Sequence, residues 1–164
     1  MSKKAANGKA PEGAVASPIT IKAQYTKDLS FENPNIIEVL TTLKEPPQIS
    51  VNVHVEANPM GEHDFEVMLL LKAEAKKDDK SLFLVDLAYG GVFQVSSEVP
   101  EESVKPLVLI ECPRLLFPFA RNIIADVTRD GGIPPIMLNP IDFVALYQQK
   151  TQDAGNDAKG DKKG

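Results

Sequence analysis

The fold of this chain is decided by the stretch ECPRLLFPFARNIIADVTRDGGIPPIMLNPIDFVALY, which covers residues 111–147. It contains two apolar helical patterns, separated by a Gly/Pro-rich segment at 131–135 that ends one helix and prevents its continuation. Asn139 is a favourable N-cap for the second helix, and Pro140 fits its first position. Because the chain before this stretch has the pattern of strands, we expect the helices to cover the apolar face of a sheet.

Four segments ahead of the helices alternate between apolar and polar residues, which is the period-two pattern of a strand with one buried face. These segments are residues 19–32, 49–56, 65–75 and 81–90. In the first, the odd-numbered residues from Ile19 to Phe31, apart from Lys27, are expected to face the core. The residues after the last strand, Gly90-Gly91 and Val92–Val95, are expected to end the sheet region in a bend or bulge. Four strands followed by helices predict an α+β fold with an antiparallel sheet.

The helices carry apolar residues over more of their surface than one sheet requires. A short helix is expected from Pro100 to Ile110, after which Pro113 breaks the chain. The main helix then carries Phe119 and Ile123 in an apolar stripe that neighbouring apolar residues widen. A stripe of this width predicts contact with more than the parent sheet, and therefore an oligomer.

Both ends of the chain are expected to be disordered, because they cannot bury enough apolar surface to offset the entropy of ordering. The predicted N-terminal tail covers residues 1–17, the single folded domain 18–150 and the C-terminal tail 151–164. The formal net charge of −5 argues against a nucleic-acid partner, which requires clustered Lys and Arg. A single cysteine, no signal-peptide pattern and no long apolar run predict a cytoplasmic protein that does not insert into a membrane.

No group of residues in the sequence has the spacing of a catalytic or metal site. His54 points outward on a strand, and His63 lies beside a turn between acidic residues whose side chains diverge. Cys112 has no indicated partner base. We therefore expect no enzyme activity, no metal site and no cofactor. A small α+β enzyme with an apolar pocket stays an alternative that the scarcity of histidine and of base–nucleophile pairs disfavours.

Two surface features are candidate interaction sites. If the first and last strands are neighbours, an acidic patch forms around an apolar side chain from four residues: Asp28, Glu32, Leu84 and Asp86. Such a patch is either an ordinary solvated face or a docking site for a basic partner. The second feature is the connection at 33–48, which is long for a compact domain. Its apolar residues outside the periodic core either pack on the core or form one wall of an apolar groove; they are Ile36, Ile37, Leu40 and Leu43.

Four stretches of the chain resemble SecB, the bacterial protein-export chaperone family. YTKDLSFENP at 25–34 is similar to the first strand of that family, and LFLVDLAYGGVF at 82–93 to its fourth strand and Gly-Gly bend. CPRLLFPFAR at 112–121 resembles its main helix, and PPIMLNPIDFVALY at 134–147 its last segment. The resemblance implies a four-stranded antiparallel Greek-key sheet with helices packed on one face. It also implies a homotetramer built as a dimer of dimers.

The function that this resemblance implies is that of an ATP-independent holdase, which keeps unfolded preproteins export-competent and delivers them to the SecA translocation motor. SecA docking is implied for the acidic patch, Asp28, Glu32, Leu84 and Asp86. A client-binding groove is implied for seven apolar residues: Ile36, Ile37, Leu40, Leu43, Phe143, Leu146 and Tyr147. The predicted oligomer interface combines Phe119 and Ile123 of the helix stripe with three positions implied by the resemblance, Val85, Leu87 and Tyr89. The alternative is an oligomeric α+β binding or scaffold protein without client grooves.

Overall fold

Four antiparallel strands, with helices packed on one face of their sheet, form the fold in the computed structural model, which describes residues 17–42 and 44–160. The elements, in chain order, are β1 (Ile19–Glu32), α1 (Ile36–Thr42), β2 (Gln48–Pro59), β3 (Asp64–Lys77), β4 (Lys80–Val95), α2 (Glu101–Pro106), α3 (Cys112–Asp130) and α4 (Phe143–Gly160). A π-helical segment, Leu107–Glu111, joins α2 to α3. The predicted N-terminal tail lies, up to residue 16, outside the described residues, and so does Leu43.

The strands are ordered β1-β4-β3-β2 across the sheet. Hairpins join β2 to β3 and β3 to β4, whereas β1 reaches β2 through the long connection that contains α1. This arrangement is a Greek key, because the strand with the long connection lies beside the far end of the meander. The prediction of an α+β fold with an antiparallel sheet is confirmed, and the tetramer stays a prediction.

The core lies between the inner face of the sheet and α3. The central strands β3 and β4 contribute apolar side chains with no exposed surface, which are Val67, Leu69, Leu71, Val85 and Leu87. From α3, Leu116, Ala120 and Ile124 are equally buried and cover them. The first residue of α4, Phe143, packs edge-on against Phe117 with 6.2 Å between the ring centroids. The helices therefore cover the apolar face as the sequence pattern predicts.

The side chains of β1 do not alternate regularly between the two faces of the sheet along the whole strand. Its pairing with β4 shifts register between Ile21 and Ala23 and again between Thr26 and Asp28. Each shift is a β-bulge, in which one extra residue turns the following side chains to the other face. Ala23 and Tyr25 consequently face away from the helices, so the expectation that all odd-numbered residues of β1 face the core was wrong.

Strand β4 continues through its two glycines to Val95, so the expectation that the residues from Gly90 end the sheet region in a bend or bulge was also wrong. The glycines are required by close neighbours on opposite faces. A Cβ on Gly90 would lie 2.6 Å from the sulfur of Met68, and a Cβ on Gly91 would lie 2.7 Å from the ring of Phe93. Both distances are shorter than van der Waals contact, so a side chain at either position would force its neighbours to shift.

The chain does not break at Pro113, contrary to expectation, because α2, the π-helical segment and α3 form one continuous helical rod. A proline has no N–H to donate to the carbonyl four residues earlier, and its ring clashes with that carbonyl in a regular α-helix. The wider π-helical turn directly precedes Pro113 and relieves this conflict. The irregularity therefore appears as a change of helical pitch instead of an interruption.

The turn after α3 follows the sequence prediction at its start and departs from it at its end. Helix α3 ends at Asp130, and Gly132 adopts a φ of +84°, which favours glycine. Helix α4, however, begins only at Phe143, and Asp142 caps it by accepting the N–H of Ala145 at 3.0 Å. Asn139 is therefore not the N-cap, and Pro140 is not the first helical residue.

Helix α4 continues to Gly160, past the domain boundary predicted at residue 150. Once a helix is nucleated, each further residue adds one hydrogen bond at small entropic cost, so polar residues can extend a helix that is docked at its start. None of the helices within the described ranges is long and apolar enough to cross a membrane.

Candidate functional site

The four residues of the acidic patch come together on the outer face of the sheet, which points away from α3. Strand β1 lies directly beside β4, with Glu32 opposite Leu84 and Ser30 opposite Asp86. Asp28 pairs with Ala88 one step further along the strand. The three carboxylates are exposed, and Leu84 is half-buried between them. The condition on which the predicted patch depended, that these two strands are neighbours, is met.

One lysine borders the acidic patch. Lys72 of β3 lies opposite Asp86 on the side away from β1, and its side chain is exposed. Directly opposite residues in an antiparallel pair have Cβ atoms about 5 Å apart, so this lysine moderates the negative potential at the inner border of the patch. The outer border along β1 carries the carboxylates of Asp28 and Glu32.

Further along the same face, acidic residues are paired with cations. The hydroxyl of Tyr25 donates to Oε1 of Glu66 at 2.5 Å, and Nζ of Lys27 contacts the same oxygen at 3.0 Å. Burial, followed by the Glu66 carboxylate, raises the pKa of Tyr25 to about 12, and the hydrogen bond from Tyr25 with that from Lys27 lowers the pKa of Glu66. Lys22 likewise pairs with Asp64 at 3.0 Å. Among the described contacts, the carboxylates of Glu66 and Asp64 are therefore partly neutralised, whereas no ion pair involves Asp28, Glu32 or Asp86.

The connection between β1 and β2 contains the short helix α1, which exposes apolar side chains. Ile37 is 72% exposed and Leu40 61% exposed, whereas Ile36 turns inward and approaches Gly132. Three polar contacts tie this segment to the body: Asn33 Nδ2 donates to the carbonyl of Gly131, Asn35 Nδ2 to that of Ser81, and Lys80 pairs with Glu38. Helix α1 is thus anchored on one side and apolar on the other.

Helix α4 divides its apolar residues between the core and the surface. Phe143 is only 2% exposed and completes the core, whereas Leu146 and Tyr147 are half-buried. Two cavities open beside this helix, one of about 1010 Å³ and one of about 380 Å³, which we name the large and the small cavity. Tyr147 lines both, and Leu146 lines the small one.

The large cavity lies between α4, α2 and one end of the sheet. Its apolar lining comes from strands β2 and β3, from the loop before α2, and from α2, the π-helical segment and α4: Ala57, Pro59, Phe65, Val99, Val104, Val108, Leu109, Tyr147 and Ala154. Charged and polar side chains form the rest of its wall: Glu62, His63, Ser96, Ser97, Glu101, Lys105, Lys150 and Thr151. Of these residues, only Tyr147 was predicted from the sequence to belong to a binding site. The spacing of Val104 and Val108, one helical turn apart, was the available signal for an apolar helix face there.

The two halves of the predicted client groove lie on different parts of the chain. The linings of both cavities, as far as the described residues extend, contain no residue of α1. Helix α1 instead contacts β4 and the turn after α3. A single groove that combines Ile36, Ile37 and Leu40 with α4 therefore stays a prediction, and Leu43, its fourth loop residue, is outside the described residues.

The predicted oligomer interface consists of buried residues on β4 and partly exposed residues on α3. Val85 and Leu87 have no exposed surface and Tyr89 is buried, so within one chain they support α3. Phe119 stacks on Tyr89 with 6.3 Å between ring centroids and an interplanar angle of 16°, yet it remains 51% exposed. Ile123 lies one turn further on and is half-buried. The outer face of α3 is consequently apolar and accessible in the single chain.

Two reactive side chains singled out from the sequence, Cys112 and His54, lie on different elements, α3 and β2. Cys112 is buried, and burial, followed by the charge of Glu111, raises the pKa of its thiol to about 12, so it remains protonated at neutral pH. His54 lies 3.5 Å from Glu56 on the exposed face of β2. Among the described residues, no cluster of three His, Cys, Asp or Glu side chains is placed to hold a metal ion.

Comparison with known proteins gives one consistent result. The family described as "Preprotein translocase subunit SecB" matches residues 12–154. The "Protein-export protein SecB" of Nitrobacter hamburgensis is 51% identical over 146 residues, which are 89% of this chain and 91% of that protein. The protein of the same name from Bradyrhizobium diazoefficiens is 53% identical over 146 residues, 89% of this chain and 90% of that one.

A solved structure shares the fold at much lower identity. It is a Mycobacterium tuberculosis SecB-like chaperone in complex with a peptide from an antitoxin, and it aligns with a TM-score of 0.57 at 13% identity. The alignment covers 76% of this chain and 91% of that one. The two chains therefore share an architecture.

Proposed function

Because this chain belongs to the SecB family of protein-export chaperones, we propose that it is a holdase that binds unfolded preproteins without ATP, keeps them export-competent and delivers them to the SecA translocation motor. The observation that carries the proposal beyond the family is the combination of two apolar sites on one small chain. These sites are the large cavity beside α4 and the exposed apolar face of α1. Both suit an unfolded client, which exposes apolar side chains that a folded protein buries.

Client binding by these sites needs no recognition of a specific sequence. Burial of apolar surface is non-directional and contributes about 25 cal/mol per Å² removed from water. Several weak contacts along one client chain reinforce one another, because the first contact raises the effective concentration for the next. The proposed client-binding residues are Ile36, Ile37, Leu40, Leu43, Leu146 and Tyr147, to which the lining of the large cavity adds Val104, Val108 and Leu109, whereas Phe143 completes the core.

We further propose that the acidic patch docks a basic segment of SecA and that the protein acts in the cytoplasm as a homotetramer. Exposed carboxylates at Asp28, Glu32 and Asp86 favour a cationic partner, and half-buried Leu84 offers an apolar contact at the centre. For the tetramer, the support is the exposed apolar face of α3 around Phe119, which a second copy would cover. We propose no nucleic-acid partner and no membrane insertion.

The test of client binding compares one precursor protein in two states. With the precursor reduced and unfolded, we expect a stable complex in the absence of nucleotide, measured by titration calorimetry. With the same precursor folded, we expect no complex, because its apolar surface is buried. Equal affinity for both states would contradict a holdase and favour the alternative, an oligomeric scaffold without client grooves.

The test of the docking patch separates SecA binding from client binding. We expect Asp86→Lys to weaken SecA binding by at least about tenfold at low salt, because it reverses one of three clustered charges, while client binding stays unchanged. Glu98→Lys is the matched control, since it makes the same change of charge at an exposed position beyond the other end of β4. Equal effects of the two variants would show that only net charge matters and that the patch is not a docking site.

A further inference from the structure

The two cavities beside α4 are separated by a small set of side chains that belong to both linings. Leu109, Tyr147 and Lys150 line the large cavity and also line the small one. Tyr147 and Lys150 are three residues apart on α4 and therefore lie on the same side of that helix. They stand between about 1010 Å³ of space on one side and about 380 Å³ on the other.

Lys150 is held in this position by a contact with the sheet. Its Nζ donates a hydrogen bond of 3.0 Å to the backbone carbonyl of Val55, a residue of β2. Strand β2 is the last strand of the sheet and pairs only with β3 among the described strands, so backbone groups on its other side lack a neighbouring strand. Along an edge strand, the backbone N–H and C=O groups of every second residue point away from the neighbouring strand. Because the carbonyl of Val55 points outward to Lys150, the carbonyls of Val53 and Ala57 point outward as well.

The strand edge runs along both cavities. Val53 and Val55 line the small cavity, and Ala57 lines the large one, so the floor of the two cavities is one continuous stretch of β2. Leu109 of the π-helical segment and Tyr147 and Lys150 of α4 lie where the two linings meet. The ammonium of Lys150 therefore lies where the two cavities meet and occupies a backbone acceptor on the strand edge that both cavities follow.

We propose that Lys150 is a latch that keeps the two cavities separate, and that an extended apolar client segment displaces it to occupy both as one groove. The proposal rests on the proposed function, since it assumes that these cavities receive clients. Asp153 lines the small cavity one turn after Lys150 on α4, and it offers the displaced ammonium an alternative partner. The long, flexible side chain of lysine suits such a movement, because its head can swing to solvent while its stem stays on apolar surface.

Because of the latch, the affinity for a client depends on the length of its apolar segment. A short segment fits in the large cavity without moving Lys150, whereas a longer segment must break the bond to Val55 before it can cross to the small cavity. Only molecules with an open latch bind a long segment across both cavities. The apparent affinity for long segments is therefore the intrinsic affinity multiplied by the fraction of molecules in which the latch is open. Removing the ammonium removes this penalty for long segments alone.

The experiment measures the affinity of two fluorescent apolar peptides, of about six and about fourteen residues, which span about 20 and about 46 Å when extended. With Lys150→Met, whose side chain has similar length but no donor, we expect the longer peptide to bind about fivefold to tenfold more tightly, as loss of one net hydrogen bond implies. The shorter peptide is expected to bind as it does to the unchanged protein. Lys150→Arg, which keeps a charged donor, is expected to retain the original length dependence.

The matched control is Lys77→Met, which makes the same substitution at an exposed position at the hairpin between β3 and β4, away from both cavities. The converse test links Val55→Cys to Lys150→Cys with a short bifunctional maleimide, which should weaken binding of the longer peptide only. The latch is refuted if Lys150→Met changes both peptides by the same factor or changes neither, or if the cross-link has no effect on the longer one. If the unchanged protein binds neither peptide nor an unfolded precursor, it is the proposed holdase function that fails.

Discussion

Cys112 illustrates how position determines the chemistry of a residue in this chain. Its thiol is buried at the start of α3, and burial raises its pKa from 9.0 to about 12. The folded protein therefore keeps a proton that the unfolded chain releases near pH 9. The stabilisation is complete below pH 9 and is lost as the pH rises from 9 towards 12.

We expect the free energy of unfolding to fall between about pH 8 and about pH 10.5, and to fall less steeply in Cys112→Ala. Urea unfolding at the two pH values measures both slopes. The raised pKa of Tyr25 produces a decline of the same sign that is common to both proteins, so the difference between the slopes isolates the thiol. Identical slopes would mean that Cys112 titrates equally in the folded and unfolded states.

Single polar side chains also fix the path of the chain after α3, and the sequence pattern did not reveal them. Thr128 is fully buried, and its hydroxyl accepts the N–H of Ile136 at 3.0 Å while donating to the carbonyl of Ile124. Asn33, which directly follows β1, donates a hydrogen bond of 2.8 Å from its Nδ2 to the carbonyl of Gly131. Such contacts join residues 8 and 98 positions apart, and periodicity in a short window cannot detect them.

At the scale of the elements, α3 approaches the sheet closely at Gly91. A Cβ there would lie 2.7 Å from the ring of Phe93 and 3.0 Å from a methyl group of Leu116. Both neighbours are fully buried side chains of the core. Contacts this short force side chains or backbone to shift.

We therefore expect Gly91→Ala to lower the free energy of unfolding by about 1–3 kcal/mol, the usual cost of overpacking a core. Urea denaturation of the purified variant provides the measurement. Gly61→Ala is the control, because a Cβ at Gly61 meets nothing within 4 Å. If both variants had the same stability, the close approach of α3 to β4 at this point would not be rigid.

Element types were largely predictable from the sequence, and their irregularities were not. The four strands and the Gly-marked end of α3 follow from local periodicity and turn chemistry, which act within a few residues. The bulges of β1 depend on pairing with β4, and the passage of the helical rod through Pro113 depends on a π-helical turn. The acidic patch depends on β1 lying beside β4, which a local pattern does not reveal, so it could be predicted only on that condition. The large cavity is built from five elements, and its lining was not predicted.

At the scale of the whole molecule, the exposed apolar face of α3 is the strongest indication of assembly. Phe119 is half exposed although it stacks on Tyr89, and Leu115 is exposed one turn earlier. We expect Phe119→Glu to reduce the particle mass measured by light scattering, because burying an unpaired charge in an interface costs several kcal/mol. Its far-UV circular dichroism should remain unchanged, since the side chain lies outside the core of one chain.

Ile37→Glu is the comparison for this prediction. It places the same charge on a more exposed apolar residue, in α1 instead of α3. We expect this variant to keep the original mass and to bind unfolded clients more weakly. An unchanged mass with Phe119→Glu would place the contact between copies elsewhere on the chain.

The two bulges of β1 also determine which changes of chain length the protein can tolerate. Fourteen residues of β1 lie against only twelve of β4, so Lys22 and Lys27 are surplus to the pairing. Loss of either lysine would remove the bulge at that point and would leave Asp28 and Glu32 on the outer face. Loss of a residue between Leu29 and Phe31 would instead turn one end of the strand over, bringing carboxylates to the core or core side chains to solvent. Strand β1 thus has spare length at two defined points, and the acidic patch begins immediately after the second.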